Sequence, residues 1–175
     1  KELPLYRLFS GSSNRPLFSD YTISLSCTEK MVADARLILS KGFPVIKVKL
    51  GGDPMEDIER MRAIRNEVGK DITLRIDANQ GWTKEGAITA LHGMTDFKIQ
   101  HCEEPLPRWQ YRELPEIRRQ CTIPIMADES CCTEFDAQKL VDLNACQGIN
   151  IKLGKSSGFV RAQRIAAIAA QNRLT

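Results

Sequence analysis

Histidine is scarce in this chain, and no segment suggests a membrane or a nucleic-acid partner. Only His92 and His101 occur, which excludes a metal site built from several imidazoles. His101 falls in a predicted strand, where we expect a hydrogen-bonded structural role. The net charge is only +3 with both signs interspersed, so we expect neither nucleic-acid binding nor a basic membrane-binding patch. No apolar run approaches the roughly 20 residues that span a bilayer.

The first residues also lack the apolar core of a signal peptide, and the sequence therefore predicts a cytoplasmic protein. Residues 1–20 include Pro4, Gly11 and Pro16 and are interpreted as a surface lead-in segment. Residues 21–175 then form one domain. With 42% hydrophobic residues in a chain of 175, there is enough apolar material for one sizeable core.

The chain has no CxxC spacing, although it contains six cysteines. They are Cys27, Cys102, Cys121, Cys131, Cys132 and Cys146. Several of them fall in apolar strand or helix patterns, which is unlike a disulfide framework. We therefore predict free thiols, most of them buried.

What the chain does contain is a regular alternation of short apolar segments and amphipathic helical segments. The predicted strands are residues 21–26, 45–50, 73–77, 97–102, 124–127 and 148–153. The predicted helices are residues 28–41, 53–68, 83–94, 109–120, 134–143 and 158–171. Thr28 is the predicted N-cap of the first, and Asp53, followed by Pro54, is the predicted cap of the second. This pattern predicts six βα units with parallel strands. Two architectures remain, an open doubly wound sheet and a (β/α)₈-type barrel.

Charged residues recur once per unit, at the carboxyl ends of the predicted strands. They are Lys49, Asp77, Glu103, Asp128 and Lys152, at intervals of 24 to 28 residues. An open sheet binds its ligand at one switch point with residues from two loops, whereas here every strand from the second to the sixth contributes a charge. The pattern therefore favours the barrel. Because such charges are costly to bury unless they meet one another or a metal, we predict an active site at this rim.

The two lysines at the ends of this series have a predictable geometry. In an eight-stranded barrel the second and sixth strands lie about half a turn apart, so Lys49 and Lys152 should face each other. Two opposed amines beside a carboxylate-bound cation could remove a proton from one face of a carbon and return one to the other. Lys47 points to the same side of its strand as Lys49. Its charge, together with the metal, is expected to lower the pKa of Lys49 towards that of a working base.

Five short motifs in this order are similar to those of a known family. They are KVK (47–49), DANQGW (77–82), EEP (103–105), ADES (127–130) and NIK (150–152). They resemble the muconate-lactonising subgroup of the enolase superfamily, and most closely its dipeptide epimerases. The resemblance implies a (β/α)₈-type barrel. Only about six βα units can be counted, so the last strands and the small capping domain of that family are expected to be missing from these residues.

The resemblance also implies roles for individual residues. Three acids are implied as Mg²⁺ ligands: Asp77, Glu103 and Asp128. Lys49 and Lys152 are implied as the acid/base pair, with Lys47 as an auxiliary residue. The implied activity is a Mg²⁺-dependent racemase or epimerase that abstracts the α-proton of a carboxylate substrate through an enediolate intermediate, with a dipeptide of the alanyl-glutamate type as the leading substrate.

Other functions remain open at this point. Within the same subgroup, a muconate-type cycloisomerase or an o-succinylbenzoate synthase-type dehydratase would use the same lysines. From a different class, a non-catalytic barrel that binds an anion or a sugar, or an open-sheet binding module, is the alternative. Binding alone, however, needs no pair of opposed lysines. A homo-oligomer is also left open.

Some neighbouring residues have simpler interpretations. Trp82 and Trp109 are expected to be packing residues at the rim. Glu104 is expected to point away from the site or to support the ligands beside it. The tripeptide at 154–156, Gly-Lys-Ser, looks like part of a phosphate-binding loop. Five residues rather than four separate Gly148 from it, however, so we do not expect nucleotide binding.

Overall fold

The computed structural model describes residues 4–9, 11, 16 and 19–175. Within them, six strands form one parallel sheet. The strands are β1 (Tyr21–Ile23), β2 (Val45–Lys49), β3 (Thr73–Asp77), β4 (Ile99–Glu103), β5 (Ile125–Ala127) and β6 (Gly148–Ile149). The helices are α1 (Leu5–Leu8), α2 (Thr28–Ser40), α3 (Pro54–Val68), α4 (Lys84–Gly93), α5 (Leu114–Gln120), α6 (Glu134–Asp142) and α7 (Phe159–Gln171). Two 3₁₀ segments, Thr95–Phe97 and Arg108–Glu113, precede β4 and α5.

The order of the strands in the sheet follows their order in the sequence, from β1 to β6. A doubly wound sheet would reverse this order at a switch point, and the described strands have no such reversal. Consecutive helices pack on one another, α2 on α3, α3 on α4 and α6 on α7, as in the outer ring of a barrel. The predicted βα alternation and partial barrel are confirmed.

The two faces of a strand explain how a charged site and an apolar core share one sheet. In β2, Ile46 and Val48 are completely buried, and they alternate with the partly exposed Lys47 and Lys49. Successive side chains of a strand point to opposite faces, so the apolar set and the charged set separate. The helices complete the core with large buried side chains, among them Met31, Met61, Ile64, Leu91 and Ile117.

Several predicted boundaries differ from the structure. α5 begins at Leu114 rather than at residue 109, because Pro115 lacks an N–H and fits only the first turn of a helix. β6 ends at Ile149 rather than at residue 153. Its neighbour β5 has only three residues, and the last ladder-like bond runs from the N–H of Asn150 to the carbonyl of Ala127 at 2.8 Å. Lys152 therefore lies in the loop after β6.

Of the two predicted helix caps, one is confirmed and the other is wrong. Asp53 caps α3 as predicted, with its carboxylate accepting from the backbone N–H groups of Met55 and Glu56 at 2.9 and 3.1 Å. Thr28 was predicted as the cap of α2, but Cys27 occupies that position and makes no side-chain capping bond. All six cysteines are free, as predicted, although Cys27 is exposed.

The lead-in interpretation of residues 1–20 rests largely on positions outside the described residues, and this domain division stays a prediction. At the other end, Thr175 adds to the sheet beside β6. Its N–H donates to Gln147 at 3.0 Å, and its carbonyl accepts from Ile149 at 2.8 Å. These two bonds have the pattern of a parallel neighbour. No helix among the described residues is both long enough and apolar enough to cross a bilayer.

The loops that follow β2 and β3 touch each other through two glycines. A Cβ on Gly81 would lie 2.3 Å from the carbonyl oxygen of Gly51, and a Cβ on Gly51 would lie 2.2 Å from the carbonyl oxygen of Ala78. Gly51 also has a φ of +107°, which side chains rarely adopt. Only glycine allows the two backbones to approach this closely.

We predict that Gly81→Ala destabilises the protein by about 1–3 kcal/mol, because the added methyl group meets rigid backbone. Gly154→Ala is the matched control, since a Cβ there meets nothing within 4 Å and the backbone is not left-handed. Its effect should stay within about 0.5 kcal/mol. Urea unfolding of both variants measures this, and equal midpoints would show that the loops can separate at little cost.

Candidate active site

The structure brings together all six residues that the sequence analysis selected for the site. They are Lys47, Lys49, Asp77, Glu103, Asp128 and Lys152. The sheet register explains part of this, because Lys49 pairs with Asp77 and Asp77 with Glu103 on adjacent strands. The three carboxylate side chains are at most 2% exposed, and one oxygen from each lies within 4.8 Å of the others.

Two lysines of β2 hold the Asp77 side of this carboxylate cluster. The Nζ of Lys47 lies 2.8 Å from Oδ2 of Asp77 and 2.5 Å from Oε2 of Glu103. The Nζ of Lys49 lies 2.7 Å from the same oxygen of Asp77 and donates to Oδ1 of Asn79 at 2.6 Å. Lys47 therefore bridges two carboxylates, whereas Lys49 lies at the edge of the cluster.

The Asp128 side is held by residues that follow β6. Lys152 Nζ donates to Oδ2 of Asp128 and lies 3.7 Å from Oε1 of Glu103. Lys155 Nζ donates to Oδ1 and to the backbone carbonyl of Asp128, and at 3.0 Å to the carbonyl of Asn150. The amide of Asn150 donates to Oε1 of Glu103 at 2.7 Å. Lys49 and Lys152 thus contact different carboxylates of the cluster.

Two residues that contact the cluster, Lys155 and Asn150, were not predicted from the sequence. Lys155 was considered only as part of a phosphate-loop pattern, yet its ammonium group contacts Asp128. Asn150 lies two residues before Lys152, and strand alternation was the available signal that could have placed it on the same side.

The neighbouring charges shift the pKa values of the three carboxyl groups in different directions. Burial alone would raise the pKa of Asp77, but the hydrogen bonds from Lys47 and Lys49 outweigh it and hold this pKa below its usual value. Lys152 and Lys155 do the same for the pKa of Asp128 against its burial. The pKa of Glu103 is raised, because burial and the adjacent charge of Asp77 outweigh the hydrogen bond from Lys47.

The carboxylates in turn raise the pKa values of two lysines. Burial opposes the charge of Lys47, yet its hydrogen bonds to Asp77 and Glu103 prevail and raise its pKa. The pKa of Lys152 is raised in the same way, since the contact with Asp128 outweighs its burial. In this arrangement both lysines are ammonium groups at neutral pH.

The carboxylate cluster fits a divalent cation of the hard type. In octahedral coordination at about 2.0–2.1 Å, adjacent oxygen ligands lie about 3 Å apart and opposite ligands about 4 Å. Oxygens from Asp77, Glu103 and Asp128 within 4.8 Å of one another need only small side-chain adjustments to reach these separations. Oxygen ligands of this kind suit Mg²⁺.

Glu104 supports the cluster from behind. Its Oε2 accepts from the backbone N–H of Asp128 at 2.7 Å, and its Oε1 accepts from the hydroxyl of Ser130. Its backbone has a φ of +38°, a left-handed conformation that is uncommon outside glycine. The expected supporting role is confirmed, because Glu104 connects the end of β4 to the residue that follows β5.

The two tryptophans differ in their surroundings. Trp82 is buried, with 2% exposure, and the predicted packing role is confirmed. The same prediction is wrong for Trp109, which is 72% exposed. It belongs to the 3₁₀ segment Arg108–Glu113, in which no residue is buried, rather than to a helix packed on the sheet.

A cavity of about 380 Å³ adjoins the cluster. Its lining includes Lys47, Arg75, His101, Glu103 and Asn150. Burial and the positive charges of Arg75 and Lys47 lower the pKa of His101 to about 4, so the ring is neutral at pH 7. The expected hydrogen bond to this ring is not found among the described residues, although the cavity beside it is also lined by the acidic side chains of Asp20 and Glu103.

Comparison with known proteins places this chain in a family. A family model described as enolase C-terminal domain-like matches residues 30–175. The chain belongs to the enolase superfamily. It is 50% identical over 169 residues to the D-Ala-D/L-Ala epimerase of Cytophaga hutchinsonii, covering 97% of this chain and 46% of that protein. It is 40% identical over 168 residues to the L-Ala-D/L-Glu epimerase of Clostridium acetobutylicum, covering 95% and 47%.

A solved structure of the same superfamily agrees closely with this one. The crystal structure of the dipeptide epimerase from Cytophaga hutchinsonii, complexed with Mg and the dipeptide D-Ala-L-Val, matches with a TM-score of 0.94 and 50% identity. The match covers 96% of this chain and 46% of that one. The chain spans about half the length of the curated relatives that it matches.

We predict that Lys47→Met destabilises the protein by roughly 3 kcal/mol or more, because two buried carboxylates lose their shared cation. Lys30→Met is the control. Lys30 forms an exposed i,i+4 pair with Asp34, and such pairs contribute little to stability. Urea unfolding at pH 7 without divalent cations compares the two variants. Similar small losses would show that Lys49 alone can compensate both carboxylates.

Proposed function

We propose that this chain carries the catalytic rim of a Mg²⁺-dependent epimerase that inverts the α-carbon of a carboxylate substrate, with a dipeptide as the preferred substrate. The observation that carries the proposal is the position of Lys49 and Lys152 on two sides of one buried carboxylate cluster. The substrate class is supported by the relatives that are 40–50% identical, both of which are named as epimerases of alanyl dipeptides.

The three carboxylates would hold the cation. Mg²⁺, when bound, would stabilise the negative charge that develops on the substrate carboxylate as the α-proton leaves. Lys47, which contacts both Asp77 and Glu103, would keep these two carboxylates oriented. Lys155 and Asn150 would do the same for Asp128 and Glu103 from the other side.

The two remaining lysines would exchange protons with the α-carbon. A neutral Nζ can accept the proton on one face, while an ammonium Nζ donates a proton to the other face. Reaction in the reverse direction exchanges these roles, so neither lysine is consumed. Lys49 contacts Asp77 and Lys152 contacts Asp128. Each lysine therefore has its own carboxylate partner for its ammonium form.

A cycloisomerase or a dehydratase of the same superfamily would use the same lysines, and the identities of the relatives favour the dipeptide reaction over both. A non-catalytic anion-binding barrel would need positive charge at the rim. It would not need two lysines on separate carboxylates. The arrangement of Lys49 and Lys152 is therefore the observation that supports catalysis over binding alone.

The metal assignment predicts a loss of Mg²⁺ binding in Asp77→Asn, because the amide removes one charged oxygen ligand from a set of three. Calorimetry on the intact enzyme measures it. Asp71→Asn is a suitable control, since Asp71 is exposed just before the amino end of the same strand, β3. Mg²⁺ binding that is unchanged in Asp77→Asn would remove Asp77 from the metal site.

The lysine assignment predicts opposite stereochemical defects. Lys152→Ala should abolish epimerisation, a loss of about 10²–10⁴-fold or more, yet leave Lys49 able to exchange the α-proton of one isomer with deuterium. Lys49→Ala should retain exchange of the other isomer only. NMR of each pure isomer in D₂O with the intact enzyme measures both rates.

Lys30→Ala, which removes an exposed lysine of α2, should leave both exchange rates unchanged. Near-normal epimerisation in either site variant would show that the substituted lysine is not an acid or base of the reaction. Equal loss of exchange for both isomers, with Mg²⁺ binding retained, would count against two bases on two faces.

A further inference from the structure

One buried charge near the site has no part in the proposed reaction. Asp57, near the start of α3, has a completely buried side chain. Its Oδ1 accepts from Nη1 of Arg60 at 2.8 Å. Its Oδ2 accepts three further hydrogen bonds, from the backbone N–H groups of Gly51 and Gly52 and from Nε1 of Trp82, each at 3.0 Å. A buried carboxylate is costly unless it is fully paired, and this one accepts four donors.

The donors to Oδ2 come from two different loops. Gly51 and Gly52 belong to the loop after β2, two and three residues after Lys49. Trp82 ends the loop that follows β3, five residues after Asp77. One carboxylate oxygen of α3 therefore connects the loop that follows Lys49, a proposed catalytic residue, to the loop that follows Asp77, a proposed metal ligand.

The second loop also carries the partner of Lys49. Asn79 accepts from Nζ of Lys49 through its Oδ1 at 2.6 Å. Both Asn79 and Gln80 have a left-handed backbone, with φ of 46° and 65°. Such conformations persist only where the surroundings hold them. Asp57 supplies one such restraint, since it binds Trp82 at the end of this segment.

The backbones of the two loops leave little room for movement. The N–H of Leu50 donates to the carbonyl of Asp77 at 2.8 Å, and Gly51 and Gly81 are in direct contact. The contacts form a closed ring, from Lys49 along its own loop to Asp57, across to Trp82, and back through Asn79 to the amine of Lys49. We call this ring the Asp57 clasp. Lys152 lies outside it, on the Asp128 side of the cluster.

We propose that Asp57 is a positioning residue for Lys49. The Asp57 clasp fixes the loops after β2 and β3 relative to each other, and so keeps Oδ1 of Asn79 beside Nζ of Lys49. Asp57 itself touches neither the carboxylate cluster nor the cavity beside it. The inference rests on the proposed function, in which Lys49 serves only one face of the substrate.

This one-sided role gives a test that a merely structural residue would not pass. Asp57→Asn keeps the shape of the side chain but removes its charge and replaces one of its two acceptor oxygens by an NH₂ donor. Hydrogen bonds to the remaining neutral acceptor are roughly half as strong. In the intact enzyme, α-proton exchange of the isomer served by Lys49 should fall about 10- to 100-fold, as expected for a displaced catalytic group. Exchange of the isomer served by Lys152 should stay near the wild-type rate.

Trp82→Phe is a milder second variant. It removes the Nε1 donor together with part of the buried ring, and it should reduce the same exchange rate in the same direction, by a smaller factor. The matched control is Glu67→Gln at the other end of the same helix, which makes the same change from carboxylate to amide. The side chain of Glu67 pairs with the exposed Arg36 of α2, so its loss should lower stability only slightly without changing the ratio of the two exchange rates.

Equal slowing of both isomers in Asp57→Asn and Trp82→Phe, or unchanged rates in both variants, would overturn the inference. If Asp57→Asn does not fold, Trp82→Phe decides alone. A failure of the proposed function gives a different result, because Lys49→Ala and Lys152→Ala would then lack opposite selectivity in the otherwise wild-type enzyme. In that case Asp57 would have no catalytic lysine to position.

Discussion

The burial of three carboxylates side by side is the constraint on which the rest of this structure depends. The side chains of Asp77, Glu103 and Asp128 are at most 2% exposed, and their negative charges would repel one another strongly at this spacing. Four lysine side chains on the two flanks of the cluster compensate these charges. Two of them come from β2 and two from the loop after β6. Such compensation is possible only if parallel strands bring all of these ends to one rim. The fold and the charged site therefore require each other.

The alternation of side chains along β2 makes this arrangement compatible with a core. Lys47 and Lys49 reach the carboxylate cluster, while Ile46 and Val48 are completely buried. A slip of one residue in the pairing of β2 would move the lysines into the core and the apolar residues to the site. Two independent constraints, hydrophobic burial and the ion pairs, thus favour the same register between β2 and β3.

The two sides of the site are supported in different ways. Near Lys49, two loops touch through glycines, and a buried carboxylate on a helix connects them. Near Lys152, β6 is only two residues long, and Lys155 holds Asp128 through a flexible side chain. The first side is held largely by backbone contacts and the second by side-chain ion pairs.

The sequence alone determined the alternation of strands and helices, the rim at which the charges meet, and the six residues of the predicted site. These follow from local patterns, because a period of two defines strand faces and a repeat of 24 to 28 residues predicts one strand end after another. The apolar segments and helix stops were equally local, which is why Asp53 could be predicted as a cap.

Only the tertiary structure decided which further residues support the site. Lys155 reaches Asp128 across 27 positions of sequence, and Asp57 reaches Trp82 across 25. Both separations are about one βα unit, but Lys155 lies in a loop and Asp57 in a helix, so a pattern of charges at strand ends marks neither residue. The exposure of Trp109 and the early end of β6 likewise depend on which neighbours are present in space. Side-chain contacts between separate loops arise when the chain closes on itself, and their partners are therefore not encoded in any one segment.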